Sequence, residues 1–184
     1  MSDENVAALQ SVVLRAVESA PGCIDGHVLR LNPHLWRKED MRSVYNDCDK
    51  HAQLPWGSEW PVVKTFARFH PGLSADDVCV AYHGTKNTNR VKHILNEGYE
   101  PKYNKHGGSG FRSPDGAYFG VIPEVLAQKY GDSLLFIVPK TACGTVRGDG
   151  AFLAPAISTL PVGTYQRPSN YGFGNLFLHG SAGV

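Results

Sequence analysis

The most restrictive stretch of this chain is Val78-Cys79-Val80-Ala81-Tyr82, an unbroken apolar run that ends in His83-Gly84-Thr85. A run this short, without the three-to-four spacing of an amphipathic helix, suits a strand covered on both faces. Leu134-Leu135-Phe136-Ile137-Val138 repeats the pattern. Short strands with two helices between them, read below, suggest a mixed α+β fold.

The flanking segments supply the helices. Val6, Leu9, Val13 and Val17 recur at helical spacing, with Ser2 or Asp3 to begin the helix and Pro21-Gly22 to end it near residue 20. A short element is expected at residues 27–31 and a helix from about 38 to 51. Residues 54–72 are rich in aromatics and prolines. Trp56 and Trp60 can act there as a ligand clamp or as a seal between packed elements, and 61–69 reads as a strand or a short helix. Residues 1–72 are therefore expected to form a mainly helical N-terminal extension or subdomain. Residues 73–184 form the domain that carries the chemistry.

Within that second part, Asn87 or Thr88 can start a helix with Val91, Ile94 and Leu95 facing inward and Gly98 as its stop. Ala117-Tyr118-Phe119 reads as the next strand. Pro123 is placed for the first turn of a helix that ends at Tyr130. The C-terminal part is turn-rich, with short strands expected at 163–167 and 175–179.

Composition narrows the function classes. Hydrophobic residues at 42% and charged residues at 19% are ordinary for a globular domain, and a net charge of +1 gives no field towards nucleic acid or an acidic membrane. Nucleic acid as a partner is thus unsupported, though not ruled out by charge alone. Cys23, Cys48, Cys79 and Cys143 are widely separated and form no CxxC pair. That pattern predicts neither a metal site nor a disulfide framework, and Cys79 reads as a small buried hydrophobe. The polar start MSDENVAALQ has no apolar leader core, and no apolar stretch is long enough to span a membrane. The expectation is a cytoplasmic or intracellular protein without membrane partners; delivery into another cell is compatible with the same features.

The chemistry concentrates between residues 83 and 130. His83 stands where an apolar strand leaves the core. Gly84 lets a ligand lie against backbone groups able to bond a planar amide. Tyr118 and Tyr130 offer aromatic faces to a flat ring. Four motifs follow in order: His83-Gly84-Thr85, Leu95-Asn96-Glu97-Gly98, Gly116-Ala117-Tyr118-Phe119 and Ala127-Gln128-Lys129-Tyr130. Together they resemble the ADP-ribosyltransferase superfamily, in its His-Tyr-Glu branch of poly-ADP-ribose polymerases and diphtheria-like toxins. The resemblance covers roughly residues 76–180.

That resemblance implies a split mixed or antiparallel sheet with flanking helices, and NAD as co-substrate. His83 would bond a hydroxyl of the adenosine-side ribose, and Gly84 would hold the carboxamide. Thr85, Gly116 and Phe119 line the same pocket, and Tyr118 and Tyr130 sandwich the nicotinamide. Ala127 stands where the family often has a serine. The glycine-rich loop 102–114 would cover the dinucleotide, with Arg112, Lys105 and His106 either reaching the diphosphate or simply solvated. The implied reaction cleaves the nicotinamide–ribose bond and passes ADP-ribose to a macromolecular acceptor, expected to be a protein.

One departure qualifies the implied reaction. The family glutamate belongs on a late strand, here 175–179, which has no acid; Asn175, Leu176 or Phe177 would face the sugar. Asn175 is the candidate for that catalytic place, with Asp115 or Glu124 as acids supplied from elsewhere. Polymer elongation is therefore not expected. Mono-ADP-ribosyl transfer, NAD hydrolysis and binding without turnover stay open. RNA 2′-phosphotransferases share a Tyr-His-Gly-Thr element, but this chain lacks their second histidine near Tyr118 and an arginine pair.

Overall fold

In a computed structural model of the chain, the residues described are 3–19, 28–32, 34–35, 60–85, 87–100, 116–122 and 133–166. Among them are helices α1 (Asp3–Glu18), α2 (Pro61–Phe69) and α3 (Thr88–Glu97). The strands are β1 (Val28–Leu31), β2 (Val78–Gly84), β3 (Gly116–Gly120), β4 (Ser133–Pro139), β5 (Ala151–Pro155) and β6 (Leu160–Gln166). The class is α+β. The strands form one antiparallel sheet of order β1-β6-β4-β2-β3-β5. The helices expected at 38–51 and 123–130, the loop 102–114 and the strand at 175–179 lie outside the described residues.

Strand β4 explains why its sequence is apolar without interruption. Leu135 and Ile137 enter one core cluster, with α1, α2 and β6. Leu134, Phe136 and Val138 enter the other, with α3, β3 and β5. Successive side chains alternate between faces, so a strand covered on both sides must be apolar at every position. Strand β2 divides in the same way: Val78 and Tyr82 belong to the first cluster, whereas Ala81 and the adjoining Cys79 pack into the second.

The N-terminal helices cover the first face. Helix α1 buries Val6, Val13, Ala16 and Val17, and α2 buries Val63 and Phe66. Pro61 opens α2 at a position where the missing donor costs nothing. The segment read as either strand or helix is thus helical. Residues on both sides of the 72/73 division share one core: α1, α2, β2, β4 and β6 all contribute to it, and β1 pairs with β6 along its length.

Polar residues then fix α3. Asn32, buried at the end of β1, donates from Nδ2 to the carbonyls of Pro161 (2.8 Å) and Leu95 (3.0 Å). Its own carbonyl-side oxygen accepts the His34 N–H at 3.1 Å. Trp60 is fully buried, stacks on His34 with ring centroids 4.8 Å apart, and donates from Nε1 to the Asn96 carbonyl at 2.7 Å. These bonds satisfy carbonyls that the last turn of a helix leaves without partners. Of the two roles considered for the tryptophans, Trp60 takes the packing one; Trp56 lies outside the described residues. Gln10 Nε2 also donates to the Leu35 carbonyl, tying α1 to the turn after β1.

Two strands departed from expectation. β5 occupies a segment read only as turns, because AFLAP is short, carries alanine at buried position 154, and is bounded by glycine and proline. β6 begins at Leu160, earlier than the expected 163, despite Pro161 and Gly163. Pro161 is accommodated because the β4–β6 register shifts between Leu135 and Phe136, so the ladder is already irregular there.

Candidate functional site

The sheet is weakest between β2 and β3. β2 pairs with β4 through seven register positions and β3 with β5 through five, but β2 meets β3 only at Tyr82 opposite Gly120. Beyond that pair the strands part, and His83 occupies the gap. Its Nδ1 lies 2.9 Å from the Tyr118 carbonyl oxygen. Because a carbonyl only accepts, Nδ1 carries the proton and Nε2 keeps its lone pair. A side chain has replaced the missing ladder bond and fixed its own tautomer by doing so.

Burial holds the imidazole neutral. Its pKa is pushed below the ordinary value of 6.5, chiefly by desolvation, with the Arg90 charge adding to the fall and the Tyr118 carbonyl opposing it. Three rings frame it: Tyr99 edge-on at 5.1 Å, Phe119 at 5.9 Å and Phe136 at 6.5 Å. Tyr99 is half-buried, and desolvation raises its hydroxyl pKa, so it too is neutral near pH 7. The site is thus an apolar, aromatic niche around one neutral hydrogen-bond acceptor.

Local sequence dictates how β2 hands over to α3. Thr85 Oγ1 accepts the Asn87 N–H at 3.3 Å, and Asn87 Oδ1 accepts the N–H groups of Asn89 and Arg90 at 3.0 and 3.2 Å. Asn87 is therefore a side-chain N-cap, so the helix begins immediately after the His-Gly-Thr turn. At the other end Gly98 adopts φ 82° and ψ −178°, a combination open essentially to glycine, and this turn delivers Tyr99 to His83.

Of the expected site residues, His83, Gly84, Thr85, Gly116, Tyr118 and Phe119 are brought to the two lips of this parting by β2, β3 and the turn after β2. Tyr118 joins His83 through its carbonyl. Ala117 and Phe119 enter the α3-side core, so strand alternation sends the half-buried Tyr118 side chain to the opposite face. Arg112, Ala127, Tyr130 and Asn175, together with Lys105 and His106, lie outside the described residues.

Two neighbours were not foreseen. Tyr99 follows the glycine stop directly, and an aromatic at that place was a readable signal. Arg90 lies in the first turn of α3, exposed, with its charge felt at both His83 and Tyr99. A metal-capable grouping was also unforeseen. Ligand atoms of His93, Glu97 and Glu100 lie within 4.8 Å of one another, and His93 Nδ1 is 3.3 Å from Glu97 Oε1. Glu97 is more than half exposed, so this grouping reads equally well as a solvated ion pair at i,i+4 spacing.

Among the described residues no helix is long and apolar enough to cross a membrane. No family model and no solved structure matches the chain. Among curated proteins, the bifunctional enzyme IspD/IspF of Rhodobacter capsulatus is 35% identical over 85 residues. That match takes in 42% of this chain and 21% of the enzyme, so the chain spans about a fifth of that relative's length.

Proposed function

We propose that the parting between β2 and β3 is a nicotinamide-nucleotide site and that the protein is an NAD-dependent mono-ADP-ribosyltransferase. The observation that carries this reading is His83 itself, neutral, with Nδ1 committed to the Tyr118 carbonyl and Nε2 left as an acceptor. An acceptor in that form suits a ribose hydroxyl, and the aromatic surroundings suit a flat heterocycle. The His-Gly-Thr turn supplies backbone groups beside it for a carboxamide.

In this reading the pocket orients NAD so that the nicotinamide–ribose bond can break, with positive charge developing on the sugar and nicotinamide leaving. ADP-ribose then passes to a side chain of a protein acceptor. Asn175 stands on the sequence where the family has its acid, and this absence favours a second reading, in which the site hydrolyses or merely binds NAD. Asp149, the last acidic side chain in the sequence, is held in an exposed turn, where it accepts the Ala151 N–H at 3.1 Å.

The test is incubation of the full chain with NAD carrying a label on its adenine half, with and without a cell lysate. Free nicotinamide plus labelled protein supports transfer. Nicotinamide with free ADP-ribose supports hydrolysis, and binding without nicotinamide supports the degenerate reading. No binding and no release removes the nicotinamide site altogether.

A further inference from the structure

The sequence places Cys79 and Cys143 far apart, yet folding brings their Sγ atoms to 3.2 Å. Both are free thiols, and both are half-buried, so a small reagent can reach them. We propose that this pair is a thiol modification site that closes to an intramolecular disulfide by exchange with a small-molecule disulfide of the glutathione type.

Backbone contacts fix where both cysteines stand. Cys79 is fixed by β2, opposite Val138 in the β2–β4 register. Cys143 follows a 3-10 turn at Lys140–Ala142, its N–H donating to the Lys140 carbonyl at 3.3 Å. The next residue, Gly144, donates to the Leu153 carbonyl of β5 at 2.8 Å, and a Cβ there would come within 2.9 Å of that same oxygen. The backbone carrying Cys143 is therefore pressed against β5. A disulfide bond is about 2.05 Å long, so the sulfurs need to approach by on the order of 1 Å, which side-chain rotation supplies.

The pair is also chemically unequal. The Cys143 thiol lies 3.5 Å from the Pro139 carbonyl and beside Cys79. Hydrogen bonding from it lowers the Cys79 pKa, with Lys140 adding to the fall, while Cys143 itself is pushed up by the same contact and by burial. Cys79 makes the first attack in this scheme, since the Cys143 thiol is also held by the Pro139 carbonyl. It displaces one thiolate from the small disulfide to give a mixed disulfide at Cys79. Cys143 then loses its proton to solvent and attacks the Cys79 sulfur, and the second small thiol leaves. The sum is two protein thiols and one small disulfide converted to one protein disulfide and two small thiols.

The bond would join the parted halves of the sheet. Cys79 belongs to the β1-β6-β4-β2 half, and the Cys143 segment is bonded to β5, which pairs with β3. This staple is independent of what the site around His83 binds.

The test uses the full chain with Cys23→Ser and Cys48→Ser, equilibrated with oxidised glutathione, blocked, digested with trypsin and mapped by mass without reduction. The expected product links the peptides 69–86 and 141–147, with loss of both thiols and a melting temperature raised by about 5 °C or more, reversed by dithiothreitol. Cys143→Ser should instead accumulate glutathione on Cys79. If either variant fails to fold, mapping the unaltered chain decides the matter through the same linked peptides. Glutathione on both cysteines without the linked pair, retention of both thiols, or an unchanged melting temperature in the linked protein would each overturn the proposal.

Discussion

Strands β2 and β4 show two faces of one sheet put to different uses. On the α1/α2 face, Val78, Tyr82, Leu135 and Ile137 meet Phe66, Trp60 and Tyr165 in a sealed aliphatic and aromatic core. On the α3 face the same strands present Cys79, Ala81 and His83, beside Phe119, Phe136 and Tyr99. Of the odd-numbered positions of β2, Cys79 and His83 carry a thiol and an imidazole while Ala81 packs, and the even-numbered Val78 and Tyr82 pack against the helices. A slip of one residue in register would bury the imidazole on the sealed face and leave the niche without an acceptor. One face is packing alone and the other combines packing with the proposed site, so substitutions on the two should differ in effect.

The largest effect belongs to the sealed face. Phe66→Ala removes a ring that is 1% exposed and should cost about 3–5 kcal/mol in urea unfolding. Any NAD affinity measured on the folded fraction should stay near wild type; a large loss of affinity would mean that the faces are not separate. On the α3 face, His83→Ala should reverse the balance, lowering nicotinamide release about 100-fold. Its stability cost should be about 1–2 kcal/mol, from the lost bond to Tyr118. Gly98→Ala sits between the two regimes. It forces φ 82° on a residue with a Cβ that meets Val62 at 3.3 Å, at about 1–3 kcal/mol, and it displaces Tyr99 from His83. Trp60→Phe shrinks a fully buried indole to a phenyl ring and deletes the donor to Asn96, for about 1–3 kcal/mol by thermal or chemical denaturation.

The smallest effect is a slope. The folded-state pKa of His83 is lowered below 6.5, so on acidification the unfolded chain takes up this proton first. Its contribution to stability is complete above about pH 6.5 and is lost as the pH falls through the folded-state value. His70, also lowered by burial, adds a slope of the same sign. His83→Gln should flatten the pH dependence of unfolding below about pH 6.5 without abolishing it, leaving the share of His70. An unchanged slope would show that His83 is not held neutral by the fold.

Much of this architecture is legible in the residues because particular patterns have few physical solutions. The unbroken runs at 78–82 and 134–138 require doubly covered strands, and Asn87 and Gly98 mark the ends of α3 by their side-chain and backbone chemistry. β5 escaped because a short segment with a small buried residue between glycine and proline gives almost no alternation signal. The placing of Asn32, His34 and Trp60 on the end of α3 also escaped, since their partners lie far away in sequence. The same limit hid the Cys79–Cys143 pair, whose spacing suggested two unrelated thiols until the β4 turn brought them together. At the candidate site the motifs marked the strands that carry His83 and the Tyr118 carbonyl, but not that the Tyr118 side chain leaves on the other face. Tyr99 and Arg90 act through the path of α3, which only the folded chain reveals.

The central claim is that the parting around His83 binds NAD. Isothermal titration of NAD into the wild-type chain and into His83→Ala, with the fold of each checked by circular dichroism, addresses it most directly. If NAD lies against His83, the wild type shows one saturable site and the variant an affinity weakened at least about tenfold, the loss of one good hydrogen bond to a polar ligand. A folded wild type that takes up no NAD, or a folded variant that binds it equally well, would rule out NAD binding at His83.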